Sequence, residues 1–211
     1  MTSKNRVSSI RRRSLRRVEN VRPQRRLFLI ATEGEKTEPQ YFNLKVFTDS
    51  AEKSIKIEVI PHHTDSAPSD VLKRMKKVLN EYIRECKIRR DDYAWIIIDK
   101  DNWSTGAIDQ IFEWSQEHPN RGVAVSNPKF EFWLLLHFNN GDGIISSQKC
   151  SEALQRSCPD YKKDCIPLGK FKRENILNAI QRAKQLDNPP CPKWPKNTGT
   201  TVYRLVEKLL E

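Results

Sequence analysis

Hydrophobic and polar positions along residues 27–126 alternate between strand-like and helix-like patterns. Apolar runs at 27–32, 93–98 and 122–126 and the alternating segment 54–60 predict four β-strands. Helix-like spacing separates these strands and is clearest from Ser69 to about Lys87, where apolar residues recur every three or four positions. The repeated strand–helix order predicts an α/β fold with a mainly parallel sheet of about four strands, covered by helices on both faces.

The pattern changes after the fourth strand. Residues 129–138 are apolar nearly all round, which predicts a buried helix. Glu131 lies inside that helix, where a carboxylate needs an ion pair, a hydrogen bond or a metal. From residue 139 the periodicity weakens, and we expect residues 139–211 to form a helical and loop extension packed on a core of residues 27–138.

Acidic residues follow two of the apolar runs. Glu33 comes after the first, and Asp99 and Asp101 come after the run at 93–98. If the two strands are parallel neighbours, these carboxylates meet at one edge of the sheet, the usual place for a ligand crevice. Asp99 and Asp101 are two positions apart, so in extended chain they point the same way.

This oxygen-rich set suits Mg²⁺, with Mn²⁺ as the alternative. Such ions orient phosphodiesters and activate water. Glu33 is a candidate metal ligand or general acid/base, and Glu131 is a further candidate ligand. Glu35 and Glu38 lie close to Glu33, so the pattern leaves open which acid of this turn acts. The simpler alternative is that the two aspartates only cap the following helix.

Charge is distributed unevenly along the chain. Residues 1–26 hold ten Lys and Arg and one Glu, so they carry +9 of the net +11. We expect a basic, disordered tail that either tracks a phosphate backbone or is simply solvated. The candidate nucleic-acid contacts in the tail are Arg11, Arg12, Arg13, Arg16 and Arg17. Lys170 and Lys172 are further candidates, with a solvated helix start as the alternative.

Several classes of protein are disfavoured. The chain has no run of 18 apolar residues, and its basic N-terminus lacks an apolar stretch, so we expect neither a membrane span nor a secretory signal. Five cysteines without a Cys-x-x-Cys pair argue against a disulfide framework and a common zinc module. Free thiols fit a reducing compartment, and we expect a cytoplasmic protein.

Four segments together closely resemble the RloB-like family over about residues 27–211. They are Ala31–Phe42 (ATEGEKTEPQYF), Ile98–Asp101 (IDKD), Ser126–Phe138 (SNPKFEFWLLLHF) and Thr200–Val206 (TTVYRLV). The resemblance implies a Toprim-like domain, a role in bacterial defence against phage, and a partner ATPase of the ABC/AAA type encoded nearby. Toprim nucleases carry a Glu after the first strand and an Asp-x-Asp after a later one, which correspond here to Glu33, Asp99 and Asp101. Glu131 falls in the family's signature segment.

We therefore expect a metal-dependent nuclease that cleaves RNA, such as tRNA, or DNA. A non-catalytic nucleic-acid-binding adaptor of the ATPase is the second hypothesis, because family membership does not establish catalysis. A metal-dependent phosphotransfer or nucleotide-processing enzyme is the third. The sequence leaves the oligomeric state open.

Overall fold

The computed structural model describes residues 25–48, 55–61, 67–100 and 103–211. The elements of the first half are β1 (Arg26–Thr32), α1 (Thr37–Phe42), α2 (Lys45–Thr48), β2 (Ile55–Ile60), α3 (Pro68–Arg84), β3 (Tyr93–Asp99) and α4 (Thr105–Gln116). Those of the second half are β4 (Arg121–Asn127), α5 (Phe130–Leu135), α6 (Ser147–Ser157), α7 (Arg173–Leu186), β5 (Gly199–Thr200) and α8 (Val202–Leu210). A short 3₁₀ helix spans Leu168–Lys170.

The fold is α/β, as predicted, and its sheet has the strand order β2-β1-β3-β4-β5. Strands β1 to β4 are parallel, as predicted. The sheet has five strands rather than about four, because β5 pairs antiparallel with β4. Thr200 and Ser126 share a 2.9 Å hydroxyl–hydroxyl hydrogen bond across this pair. Two residues are too few to show a hydrophobic period. Strand β5 could therefore not be recognised within the extension predicted for residues 139–211.

Helices cover both faces of the sheet, and the alternation of side chains along each strand divides the core in two. Trp95 and Ile97 of β3 face the cluster that includes α1, α5, α7 and α8. Ile96 and Ile98 face the cluster formed with α3 and α4. Both faces are apolar because the strand is covered on both sides, which explains its continuous apolar run.

Local structure sets where two of the helices end and begin. Helices α1 and α2 are separate, because Asn43 ends α1 and its side-chain amide donates to Pro39 O at 2.9 Å. Helix α7 begins at Arg173, after the 3₁₀ turn.

All five cysteines are free thiols, with Cys150 and Cys158 buried. Within the described ranges, no helix is both long enough and apolar enough to cross a bilayer.

Candidate functional site

The candidate site lies where β1 and β3 end side by side. Thr32 of β1 pairs with Ile97 of β3 in parallel register, and Glu33 N donates to Ile97 O at 3.0 Å. The chain leaves β1 towards β2 on one side, and β3 occupies the other side. The connections therefore diverge between β1 and β3, and the carboxyl ends of strands at such a switch point form the usual binding crevice of open α/β sheets.

Glu33 is held against the end of β3. Its Oε2 accepts a hydrogen bond from Asp99 N at 3.0 Å, and its Oε1 accepts one from Trp103 Nε1 at 2.8 Å. Each carboxylate oxygen thus has a fixed donor. Glu33 and Asp99 therefore lie together at one edge of the sheet, as predicted.

Asp99 connects β3 to α5. Its Oδ1 accepts a 2.8 Å hydrogen bond from Phe130 N, one of the N–H groups that the first turn of a helix leaves unpaired. Asp99 therefore does cap a helix, but this helix is α5 and not the following helix α4, which begins after Ser104. Burial raises the pKa of Asp99 well above its ordinary range, and neighbouring carboxylates raise it further.

Those neighbouring carboxylates complete the cluster. In order of their effect on the pKa of Asp99, they belong to Glu38, Glu33 and Glu131. We call the four side chains Glu33, Glu38, Asp99 and Glu131 the carboxylate cluster.

Of the three acids at the turn between β1 and α1, Glu33 and Glu38 lie in this cluster. It sits in the first turn of α1 with only 5% of its surface exposed, and its Oε1 accepts a 3.0 Å hydrogen bond from Gly34 N. Burial, and then the charges of Glu131 and Glu33, raise the pKa of Glu38 to about 7. Glu35 is exposed. Glu38 thus joins Glu33 rather than replacing it.

Glu131 is the second residue of α5 and is 8% exposed. Tyr161 donates its hydroxyl to Glu131 Oε1 at 3.2 Å, and Lys129 Nζ lies 3.9 Å from the same oxygen. The buried acid therefore has the hydrogen bond and the ion pair that its burial requires. Burial, together with the charge of Glu131, raises the pKa of the Tyr161 hydroxyl well above its ordinary range.

A loop from the C-terminal extension closes over this side of the cluster. Thr37 Oγ1 donates to Lys163 O at 2.6 Å, and Ile166 N donates to Gln40 Oε1 at 3.1 Å. These bonds tie residues 161–166 to α1 and hold Tyr161 in place. Sequence reasoning missed Tyr161, because it lies in a segment of weak periodicity with no motif of its own.

Other predicted site residues are placed elsewhere. Asp101 and the candidate arginines of the tail lie outside the described residues. Lys170 and Lys172 are exposed and line a separate cavity of about 680 Å³ that contains none of the cluster's carboxylates. His137 is a core histidine: it is buried, its Nε2 lies 3.1 Å from the Tyr41 hydroxyl, and burial lowers its pKa to about 3.

The carboxylate cluster offers oxygen donors to a metal ion. Its oxygens are the ligands that Mg²⁺ and Mn²⁺ prefer, and it lacks the imidazole and thiolate typical of zinc. In the part of the chain that the structure describes, no group of three or more His, Cys, Asp and Glu side chains is arranged to hold a metal ion. Mg²⁺ commonly uses only one or two protein carboxylates and keeps several waters, so the residues fit an ion bound in that way rather than a closed cage.

A family model described as RloB-like protein matches residues 28–209, which include every element from β1 to α8 except their outermost residues. No curated protein and no solved structure is significantly similar to the chain. The chain therefore belongs to the RloB-like family.

Proposed function

We propose that this protein is a metal-dependent phosphodiester hydrolase with a Toprim-like site that cleaves RNA or DNA. The observation that carries the proposal is the carboxylate cluster, gathered at the switch point of the sheet. Burial there raises the pKa of Asp99 well above its ordinary range and that of Glu38 to about 7. Perturbed carboxyl groups in such a crevice are typical of functional sites.

A divalent cation would relieve the repulsion within the cluster. Asp99 and Glu33 are its proposed ligands. Asp101, which was predicted from the sequence, is also a proposed ligand, and Glu131 is a further candidate. When bound, Mg²⁺ or Mn²⁺ supplies a nucleophilic water and stabilises charge on the phosphate oxygens.

The protein's own residues orient the Glu33 carboxylate and hold a proton on Glu38. The Asp99 backbone and the Trp103 indole fix the direction of the Glu33 carboxylate, so it is preset to act as ligand or base. Glu38 has a pKa of about 7 and can therefore take up or release a proton near neutral pH. Lys129, near Glu131, places one positive charge beside the cluster.

The substrate and setting rest on the family resemblance and on charge. We propose a structured RNA such as tRNA, or DNA, as substrate, a role in defence against phage, and control by an ABC/AAA-type ATPase. The +9 charge of residues 1–26 supports a nucleic-acid substrate, because arginine and lysine bind phosphates with release of counterions.

The direct test is cleavage. Labelled tRNA and plasmid DNA are incubated with the full chain, alone and with the neighbouring ATPase, in Mg²⁺, Mn²⁺ or EDTA. We expect metal-dependent strand cleavage that Asp99→Asn abolishes. Asp91→Asn is the matched control, because Asp91 is exposed and lies just before the start of β3, at the other end of that strand.

The other outcomes separate the alternatives. Binding without cleavage in every condition would favour an adaptor, and nucleotide turnover without strand cleavage would favour a phosphotransfer enzyme. Cleavage that survives in EDTA or in Asp99→Asn would contradict the proposed site.

A further inference from the structure

A groove lies on the same edge of the sheet as the carboxylate cluster. It runs between the loop after β3 and the segment 186–198 and encloses about 790 Å³. Its lining includes Lys100, Lys193, Lys196, Leu186 and Trp194. Lys100 directly follows Asp99 in the chain, so one end of the groove borders the cluster.

Hydrogen bonds connect the groove to the cluster. Lys100 Nζ donates to Trp103 O at 2.8 Å, and the indole of Trp103 donates to Glu33. A ligand that bound Lys100 would therefore lie next to the residues that position Glu33.

The lysines of the groove can receive an anion. Lys193 forms an ion pair with Asp109 and lies 5.5 Å from the centroid of the Trp194 ring. In the described part of the chain, neither Lys100 nor Lys196 has a carboxylate partner, and Lys196 is exposed. The lining also includes Asp109 and Asp187, each held in an ion pair, so the groove has a net positive charge along a partly apolar wall.

The wall of the groove is fixed before any ligand binds. The Asn127 side chain donates to Pro195 O at 3.2 Å and to Lys196 O at 3.1 Å. At the other end, Arg204 Nη2 of α8 donates a hydrogen bond to Cys191 O at 2.8 Å. Both ends of the proline-rich segment are therefore anchored to the folded body, and a bound strand would not have to order it.

We propose that this groove binds single-stranded nucleic acid and leads its backbone to the carboxylate cluster, an inference that rests on the proposed function. Ammonium groups suit phosphates, and the proline, leucine and tryptophan surfaces suit sugars and bases. The volume is that of a small-ligand site, so it admits nucleotide-sized groups, whereas a duplex is too wide to enter.

Lysine footprinting on the full chain tests the groove. A short oligo(U), its oligo(dT) counterpart and a duplex are bound in EDTA, and surface lysines are acetylated and quantified by mass spectrometry. We expect the single strands, but not the duplex, to protect Lys193 and Lys196. Lys76 and Lys77 on the exposed side of α3 are internal controls and should stay reactive.

A paired set of variants gives the second measurement. Lys193→Gln with Lys196→Gln should weaken oligonucleotide binding by about tenfold or more and reduce the slope of log K against log salt by about 1.4. Lys76→Gln with Lys77→Gln removes the same charge from α3 and should change neither. Thermal unfolding of both proteins checks that the fold is retained.

The outcomes separate this inference from the proposed function. Protection of the two groove lysines without cleavage supports the groove and contradicts the hydrolase. If the groove variant cleaves with an unchanged KM and the groove lysines stay unprotected, the proposed groove is wrong. That result would still support the proposed hydrolase. Equal protection by the duplex also overturns the single-strand assignment.

Discussion

The backbone N–H of Gly34 donates a 3.0 Å hydrogen bond to Glu38 Oε1, four residues further along the chain. A Cβ at position 34 would overlap with the carboxylate of Glu38. The turn after β1 therefore needs glycine because the buried acid of α1 packs directly against its backbone. This contact sets the position of Glu38 within the carboxylate cluster.

We predict that Gly34→Ala destabilises the protein and lowers cleavage activity. The added methyl group must displace Glu38, and inserting a methyl group into a packed site costs about 1–3 kcal/mol. Urea denaturation measures the free energy of unfolding. Gly106→Ala is the control, because a Cβ there meets nothing within 4 Å and alanine is the better helix former. Equal stability of the two variants would contradict the proposed packing.

The pKa of Glu38 predicts a pH-dependent loss of stability. In EDTA, the unfolded chain loses this proton near pH 4.5, whereas the folded protein keeps it until about pH 7. The folded state thus binds more protons across this window, and its stability falls as pH rises from about 4.5 to 7. Glu38→Gln lacks the penalty, so its stability relative to wild type should rise through that window by on the order of 3 kcal/mol.

Chemical denaturation of wild type and Glu38→Gln between pH 4.5 and 8 measures this difference directly. Glu35→Gln changes an exposed acid of the same turn and controls for the loss of one charge. A stability difference between Glu38→Gln and wild type that does not vary with pH would show that Glu38 is not buried as described.

Tyr161→Phe should destabilise the protein by about 1–3 kcal/mol, because it leaves the buried Glu131 carboxylate without its hydroxyl donor. In a Glu131→Met background the same change should cost much less, since the acceptor is then gone. The double-mutant cycle is measured by denaturation. Equal costs in the two backgrounds would show that the hydroxyl does not stabilise Glu131.

Arg204→Ala should destabilise the protein by about 3 kcal/mol, because Asp187 keeps its charge with only 4% of its side chain exposed. Arg204 Nη2 lies 2.8 Å from Asp187 Oδ2. Lys184→Ala is the control, since its ion pair with Glu207 is exposed and worth less than about 1 kcal/mol. Loss of Arg204 should also expose the 187–198 segment to proteolysis.

The ion pair between Asp187 and Arg204 also predicts a loss of stability at low pH. Burial alone would raise the pKa of Asp187, but hydrogen bonds from Cys191, Tyr203 and Arg204 outweigh it and lower the pKa below its ordinary value of 3.8. The group thus contributes stability above pH 3.8, and this contribution is lost as pH falls through the folded pKa. The stability advantage of wild type over Arg204→Ala should shrink in that range.

Local pattern predicted much of the fold and part of the site. Apolar runs revealed β1, β3 and β4, and the acids at the ends of β1 and β3 indicated the edge where Glu33 and Asp99 meet. The two-residue strand β5 was invisible to periodicity, because its pairing depends on Ser126, 74 positions away. Glu38 could not be chosen over Glu35 until the start of α1 was known, since Glu35 precedes this helix and is exposed whereas Glu38 is buried in its first turn.

The sequence by itself determined the four parallel strands, the buried helix after β4 and the strand ends that carry acids, because these follow from the spacing of neighbouring residues. Only the tertiary structure decided that four carboxylates share one site. Glu33 meets Asp99 across 66 positions, and Tyr161 meets Glu131 across 30. Such contacts depend on strand order and on how the C-terminal extension folds back, and no local period encodes either.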